Sequence, residues 1–411
     1  MGAGGTLAVM KQPSLRTPEL DGVRGIAIFL VLIYHYFVIA FAPASPAAYA
    51  FAGLRLSWSG VDLFFVLSGF LIGGILIDNQ QSSNYFEVFY VRRLCRIFPL
   101  YLFWLLAFCG LLLIRSAESP LPLWSYATFS QNLLMSYHNT FGPSWMLITW
   151  SLAVEEQFYF TLPFIIRYLE PRKLPWFLIC FILAAPLLRV ALSFSFSSGA
   201  LAAYVLMPCR ADALLLGVLC AWMLRRQQVT QFLTIYRKAL YAAFVVLLMG
   251  TAAMTIKYTQ MVSYRWSNLG YTWLALLYSC FLLIIVTERR GIIKTITMSP
   301  LLRGLGIIAY GVYLMHYGIL SLLHELILHD GPTILNTQDL MVTMFSLTLT
   351  LILAYLSWKF FEKPLVAWGH GFNYQNATQS CHPIATTRES RRIGPVNSLV
   401  DSFEQLNRIN L

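Results

Sequence analysis

Long apolar stretches recur along this chain and dominate what it can fold into. About ten of them can cross a ~30 Å hydrocarbon core as helices, which takes about 20 residues each. They lie at residues 24–40, 61–77, 97–114, 145–166, 176–192, 207–224, 240–256, 269–286, 305–323 and 341–361. None alternates apolar and polar residues like a barrel strand, and backbone groups in lipid must be hydrogen-bonded within the segment. The sequence therefore predicts an all-α fold, a polytopic transmembrane helical bundle.

Charge predicts how this bundle is oriented. Only 11% of the residues are charged, against roughly a quarter in soluble domains, which excludes a water-soluble fold. With the N-terminus in the cytoplasm, most basic residues of the connections fall on the cytoplasmic side. The opposite loops contain Arg55, Arg115, Lys257 and Arg265. The positive-inside rule therefore predicts that both termini are cytoplasmic. Anionic lipid head groups then explain the formal net charge of +11 without nucleic acid.

The composition divides the chain into a membrane domain at residues 1–366 and a polar segment at residues 367–411. We expect this second segment to be a disordered cytoplasmic tail, because it contains few apolar residues. The first apolar stretch is interpreted as a retained anchor rather than a cleaved signal. The seven cysteines are scattered, and their spacing indicates neither a disulfide framework nor a metal site.

Ionisable residues within apolar spans are costly in lipid and are candidate functional residues. The chain has several in or at the ends of its spans: Arg24, His35, Asp62, Glu155, Glu156, Arg189, Arg210, Asp212 and His316. The eleven-residue spacing of Arg24 and His35 predicts that both lie on one helix face, about 16 Å apart. His35 is either a catalytic residue or a packing residue, and Arg24 either takes part in function or extends to the lipid interface.

The acidic candidates also have two interpretations each. Asp62 either holds the second nitrogen of an imidazole or caps its helix, in a segment where Gly60, Gly69, Gly73 and Gly74 favour close helix packing. Glu155 and Glu156 are separated by about 100° around a helix, so that one can act as a base while the other forms an ion pair. The alternative is a purely structural role for both.

Three arginines follow one another closely before the third span. Arg92, Arg93 and Arg96 lie in the segment FYVRRLCRIFP, which we assign to a cytoplasmic connection. Guanidinium groups can bind phosphate oxygens bidentately, and such a cluster is suited to an anionic ligand. The positive-inside pattern alone can also produce it.

Together these segments resemble the membrane-bound acyltransferase family 3, whose members O-acylate bacterial surface polysaccharides, peptidoglycan and some macrolides. The resemblance covers about residues 17–365 and rests on LDGVRGIAIFLVLIYHY, GVDLFFVLSGFLI, RRLCRIFPLY, TWSLAVEEQFY, the segment from Arg210 to Gly217, YGVYLMHY and WKFFEKP, in that order. It implies an acyltransferase of the bacterial plasma membrane that uses acetyl-CoA or another acyl-CoA and no metal. The implied acceptor is a sugar, such as an exopolysaccharide, an O-antigen or a lipid-linked glycan.

The resemblance also implies roles for individual residues. His35 looks like the catalytic histidine and Arg24 its companion, while Arg92, Arg93 and Arg96 look like the acyl-CoA site. Glu155 occupies the family's acidic position, and Glu156 lies where the pattern is looser. Asp62 or Glu155 is expected to orient His35. Possible supporting residues are Glu156, Arg210, Asp212 and His316, with Arg24 or Arg210 stabilising an oxyanion.

Several alternatives stay open at this point. His35 either acts as a general base or forms an acyl-histidine intermediate. The acceptor is a glycan or, alternatively, a macrolide-like small molecule. A non-enzymatic transporter is the other class, although no inverted repeat is evident. Many relatives carry an extracytoplasmic hydrolase-like domain, and we expect a partner protein or direct transfer to replace it here.

Overall fold

A computed structural model shows how these segments are arranged. It describes residues 18–41, 46, 51–116, 118–196, 198–257, 262–264, 266–288 and 290–375. These residues lie within one compact unit. The predicted disordered tail falls largely on residues 376–411, outside the described part of the chain.

Helices account for the regular structure of the described residues. The α-helices, numbered in chain order, are α1 Pro18–Ile33, α2 Gly60–Asp78, α3 Tyr85–Arg115, α4 Leu123–Ala127, α5 Gln131–His138, α6 Thr149–Tyr168, α7 Leu174–Ser195, α8 Gly199–Val205, α9 Met207–Leu224, α10 Gln227–Ile235, α11 Arg237–Lys257, α12 Tyr271–Thr287, α13 Ile292–Thr297, α14 Pro300–Ile307, α15 Ala309–Leu328, α16 Thr337–Ser357 and α17 Lys363–His370. Three short π-helices, Tyr34–Val38, Trp266–Gly270 and Trp358–Glu362, and the 3-10 helix Ala52–Ser59 complete the set. The only extended pairing among the described residues is a single bridge between Phe41 and Ile334.

The predicted helical membrane fold is confirmed. Within the described residues, nine helices are long and apolar enough to cross a membrane. The exception among the predicted spans is α6, which forms as a 20-residue helix but contains Glu155, Glu156 and Gln157. These polar side chains lower its mean hydropathy, and α6 packs inside the bundle against α2 and α9.

The arginine cluster lies inside a helix that continues into the third span. The helix α3 begins at Tyr85, twelve residues before the predicted start of the span. Arginine is a good helix former, and no glycine or proline interrupts the segment between Tyr85 and Pro99. The helical geometry separates Arg92 from Arg93 by about 100°, so that neighbouring arginines point to different surroundings.

Glycines bring the central helices into close contact, as predicted from their positions in α2. The helices α2 and α9 form the most extensive helix pair. A Cβ atom at Gly69 would lie 1.8 Å from the carbonyl oxygen of Leu214, and one at Gly217 would lie 2.1 Å from that of Val66. Such spacing is possible only without a side chain, and it is typical of small-residue packing in membranes.

The helix α1 contacts its neighbours in the same way. A Cβ atom at Gly25 would lie 1.9 Å from the carbonyl oxygen of Leu302 in α14. One at Gly306 would lie 1.8 Å from the carbonyl oxygen of Asp21. This backbone contact holds the segment that contains Arg24 in place before any side chain is considered.

Candidate functional site

The first group of candidate residues surrounds His35. The helix α1 continues into the π-helix Tyr34–Val38, and His35 is the second residue of that turn. A π-turn adds a residue to the helical repeat and is often found at functional sites. The His35 side chain is partly exposed, whereas Tyr36 beside it is fully buried. The turn therefore places His35 at the edge of the core and its neighbour Tyr36 inside it.

His316 from α15 is the closest ionisable neighbour described for His35. Its Nε2 lies 3.3 Å from the Nδ1 of His35, and the two ring centroids are 4.9 Å apart. The rings of Tyr34 and Tyr317 also contact His35 edge-on, at centroid distances of 5.2 Å and 5.1 Å. Tertiary structure thus brings His35 and His316 together, although His316 was predicted only as a possible supporting residue.

Asp62 forms an ion pair with Arg210, and both side chains are buried. The guanidinium of Arg210 also lies over the ring of Tyr271, 4.1 Å from its centroid. Neither of the two roles considered for Asp62, orienting His35 or capping its helix, is the contact seen here. The attraction between the two charges offsets part of the cost of desolvating both groups.

A second buried ion pair lies beside the first. Arg189 donates to Asp212 at 3.0 Å, and both side chains are at most 1% exposed. The hydroxyl of Thr272 donates to the same carboxylate at 2.6 Å. Asp212 is one of the predicted supporting residues, and this contact joins α7, α9 and α12.

The second group of candidate residues is a set of three cations. Arg24, Arg93 and Arg96 lie close enough to interact electrostatically, and Asp21 accepts a hydrogen bond from Arg24 at 2.5 Å. Three positive charges repel one another, so this arrangement is favourable only when anions compensate them. The group is therefore suited to a polyanionic ligand such as a phosphate ester.

Arg92 points away from this set. Its Nε and Nη2 atoms donate to the carbonyl oxygen of Phe372, at 3.0 Å and 2.5 Å. Its guanidinium also lies over the ring of Tyr374, 5.3 Å from the centroid. Burial raises the pKa of Tyr374 although Arg92 and Arg93 oppose this shift, so the phenol stays neutral. Residues 371–375, which were assigned to the polar tail, thus contact the bundle through Arg92.

Glu155 and Glu156 have different surroundings, as expected from their angular separation. Glu155 accepts hydrogen bonds from Ser68 at 2.8 Å and from Tyr159 at 3.1 Å. Both carboxylates interact electrostatically with Arg93, and Glu156 takes part in neither of these hydrogen bonds. The sequence analysis missed Ser68, because no spacing rule connects a hydroxyl in α2 with a carboxylate in α6. It also missed Tyr159, which the i,i+4 spacing within α6 could have indicated.

Metal binding has no candidate in the described residues. Within the described ranges, no three or more His, Cys, Asp or Glu side chains are placed to hold a metal ion together.

Comparisons with known proteins agree with the family resemblance that the motifs indicated. A family model described as "Acyltransferase domain" matches residues 17–359. O-acetyltransferase OatA of Staphylococcus aureus (strain NCTC 8325 / PS 47) is 27% identical over 368 residues, which cover 85% of this chain and 57% of the relative. Peptidoglycan O-acetyltransferase OatA of Listeria monocytogenes serovar 1/2a (strain ATCC BAA-679 / EGD-e) is 27% identical over 374 residues, 85% of this chain and 55% of the relative.

These relatives are considerably longer than the matched region, since the chain spans little more than half of their length. No solved structure shows a significant match. The family model nevertheless covers most of the bundle, from before α1 into the π-helix Trp358–Glu362. Nine apolar helices in the described residues and the family match together show an integral membrane protein that belongs to the membrane-bound acyltransferase family 3.

Proposed function

We propose that the chain moves an acetyl group from cytoplasmic acetyl-CoA to a hydroxyl group of a sugar. The acceptor is an exopolysaccharide, an O-antigen, peptidoglycan or a lipid-linked glycan at a bacterial plasma membrane. The names of two relatives, an O-acetyltransferase and a peptidoglycan O-acetyltransferase, support the group transferred and the class of acceptor. Family membership supports acyl transfer itself.

The arrangement along α1 is the observation that carries this proposal. Arg24 lies near the start of the helix together with Arg93 and Arg96, and His35 lies near its end in a partly exposed turn. The eleven-residue helical spacing places Arg24 and His35 about 16 Å apart. A donor with several phosphates can bind at the cationic end while its thioester extends toward the imidazole.

Chemistry at His35 follows from the low reactivity of an alcohol toward a thioester. A base that removes the hydroxyl proton in the transition state contributes roughly 10² to 10⁴ in rate. His35 supplies this base, and Arg24, Arg93 and Arg96 hold the phosphates of coenzyme A. Glu155 is held by the hydrogen bond from Ser68, and Asp62 by the ion pair with Arg210. The alternative is an acyl-histidine intermediate, in which the same ring attacks the thioester first.

Replacement of His35 tests the catalytic assignment. Purified protein in detergent is incubated with radiolabelled acetyl-CoA and a surface-glycan extract from which mild base has removed acetyl esters. We expect His35→Gln to reduce label transfer at least ~10²-fold, as for a lost general base, and to keep acetyl-CoA affinity within a few-fold. Transfer near the wild-type rate by a folded His35→Gln variant would contradict the catalytic role of this residue.

The donor site is tested by changing the arginines one at a time. Arg→Lys keeps the charge but removes the bidentate hydrogen bonds. We expect Arg93→Lys and Arg96→Lys each to weaken acetyl-CoA binding about tenfold, the equivalent of ~1.4 kcal/mol. Arg92→Lys is the matched control and should bind normally, because Arg92 contacts the carbonyl of Phe372. Equal effects of all three substitutions on the dissociation constant would contradict this division of the cluster.

A further inference from the structure

The contact between His35 and His316 defines where the protons of both rings lie. Carbonyl oxygens only accept hydrogen bonds, so a ring nitrogen next to one must carry a proton. The Nδ1 of His35 lies 3.0 Å from the carbonyl oxygen of Val31. The Nδ1 of His316 lies 2.7 Å from the carbonyl oxygen of Tyr313. Each histidine therefore carries a proton on Nδ1.

These assignments determine the hydrogen bond between the rings. The Nε2 of His316 is 3.3 Å from the protonated Nδ1 of His35, and two protons cannot occupy the space between them. The Nε2 of His316 therefore has a free electron pair and accepts, while the Nδ1–H of His35 is shared between Val31 and His316. In a neutral His35, the remaining nitrogen, Nε2, is then unprotonated and basic.

From this we infer that His316 is a positioning residue that holds His35 in the tautomer with a basic Nε2. The inference rests on the proposed function, in which His35 performs the chemistry. In hydrolases with a Ser-His-Asp triad, a carboxylate has the corresponding place at the second ring nitrogen. Here the neutral imidazole of His316 lies at that position, so His35 has a hydrogen-bond acceptor without a negative charge inside the membrane.

Neighbouring contacts hold His316 in the required place. The hydroxyl of Tyr36 donates to the carbonyl oxygen of His316 at 3.1 Å and lies 3.2 Å from the hydroxyl of Thr350. These contacts join the π-turn of α1 to α15 and α16. His316 is fully buried, which excludes solvent as a competing donor to its Nε2.

The tautomer gives a balanced reaction. The Nε2 of His35 takes the proton of the acceptor hydroxyl while the oxygen of that hydroxyl bonds to the thioester carbon. When the C–S bond breaks, the electron pair leaves with sulfur, and the imidazolium returns the proton to form the thiol of coenzyme A. His316 accepts from the Nδ1–H throughout and stabilises the cationic ring. If an acyl-histidine forms instead, the same Nε2 is the nucleophile.

Two substitutions at His316 separate the effect of its hydrogen-bond acceptor from the effect of its side-chain volume. The carboxamide of His316→Gln reaches toward the Nε2 position and offers an oxygen acceptor, whereas His316→Leu offers none. His324→Leu is the matched control, because His324 is a buried histidine of the same helix whose Nε2 bonds to Thr343. The kcat and the KM for acetyl-CoA are measured with the same de-acetylated glycan extract.

We expect His316→Leu to lower kcat at least tenfold with KM within about twofold, and His316→Gln to keep a clearly larger kcat than His316→Leu. The His324→Leu control should retain its kcat. Equal kcat values for the Leu and Gln variants, whether near wild type or near zero, would overturn the inference. If His316→Leu does not fold, His316→Gln decides alone, and a kcat below a tenth of wild type overturns the inference.

The parallel His35→Gln variant distinguishes a failure of the proposed function from a failure of the role inferred for His316. Activity that survives His35→Gln contradicts the proposed function, whatever the His316 variants do. Loss of activity in His35→Gln, together with equal kcat values for the two His316 variants, contradicts only the role assigned to His316.

Discussion

The ion pair between Asp62 and Arg210 provides a test of how charge is held inside this bundle. The side chains of both residues are 1% exposed. Asp62→Asn removes the carboxylate and leaves the guanidinium of Arg210 buried without its partner. Breaking a buried pair from one side costs about 3–5 kcal/mol. We expect a value near the lower end, ~3 kcal/mol, because Asp212 also interacts electrostatically with Arg210.

The partly exposed ion pair between Asp78 and Arg225 supplies the matched control. Asp78 accepts two hydrogen bonds from Arg225, each 2.6 Å long, and the side chains are 26% and 27% exposed. Partly exposed pairs contribute about 0–1 kcal/mol because water replaces the lost partner. Asp78→Asn should therefore change stability by less than ~1 kcal/mol, although the substitution is chemically identical.

Both variants are unfolded in mixed micelles with increasing amounts of SDS, followed by tryptophan fluorescence. An apolar double replacement, Asp62→Leu with Arg210→Met, should recover most of the stability lost in Asp62→Asn, since neither charge of this pair is then buried. A difference below ~1 kcal/mol between Asp62→Asn and Asp78→Asn would refute this reasoning. If the double variant folds but transfers no acetyl group, Asp62 or Arg210 has a role in the reaction besides stability.

Two further predictions concern α6 and the helix contacts. Glu155→Gln should abolish turnover because it removes the negative charge beside Ser68 and Tyr159, whereas Glu156→Gln should be tolerated better; wild-type activity in both would leave only a structural role for the pair. Gly69→Ala should cost about 1–3 kcal/mol of stability through overpacking, while Gly110→Ala, with open space around its Cβ, should be neutral or stabilising. Similar unfolding midpoints for these two glycine variants would contradict the packing argument.

Much of the site could be recognised from residue types alone. His35, Glu155 and Arg210 are conspicuous because an ionisable group in an apolar span is costly and needs a partner. Which partner each one has could not be predicted, because the partners come from helices distant in the chain. His316 lies 281 positions from His35, and Ser68 lies 87 positions from Glu155.

The roles of the three clustered arginines could not be distinguished from the sequence either. The sequence indicated an anion site but treated Arg92, Arg93 and Arg96 as equivalent. Once α3 extends back to Tyr85, helical geometry turns Arg92 toward Phe372 and leaves Arg93 and Arg96 with Arg24. The role of each arginine thus depended on where a helix begins, which local sequence determines poorly.

The sequence by itself determined that the chain is a helical membrane protein and which residues are candidates for its chemistry. These conclusions depend on hydrophobic length and on the cost of charge in lipid, which are properties of each segment alone. The tertiary structure decided the pairing of Asp62 with Arg210, the division of the arginines and the contact of His35 with His316. The physical reason is that packing between helices, through glycines such as Gly25 and Gly69, sets which side chains meet.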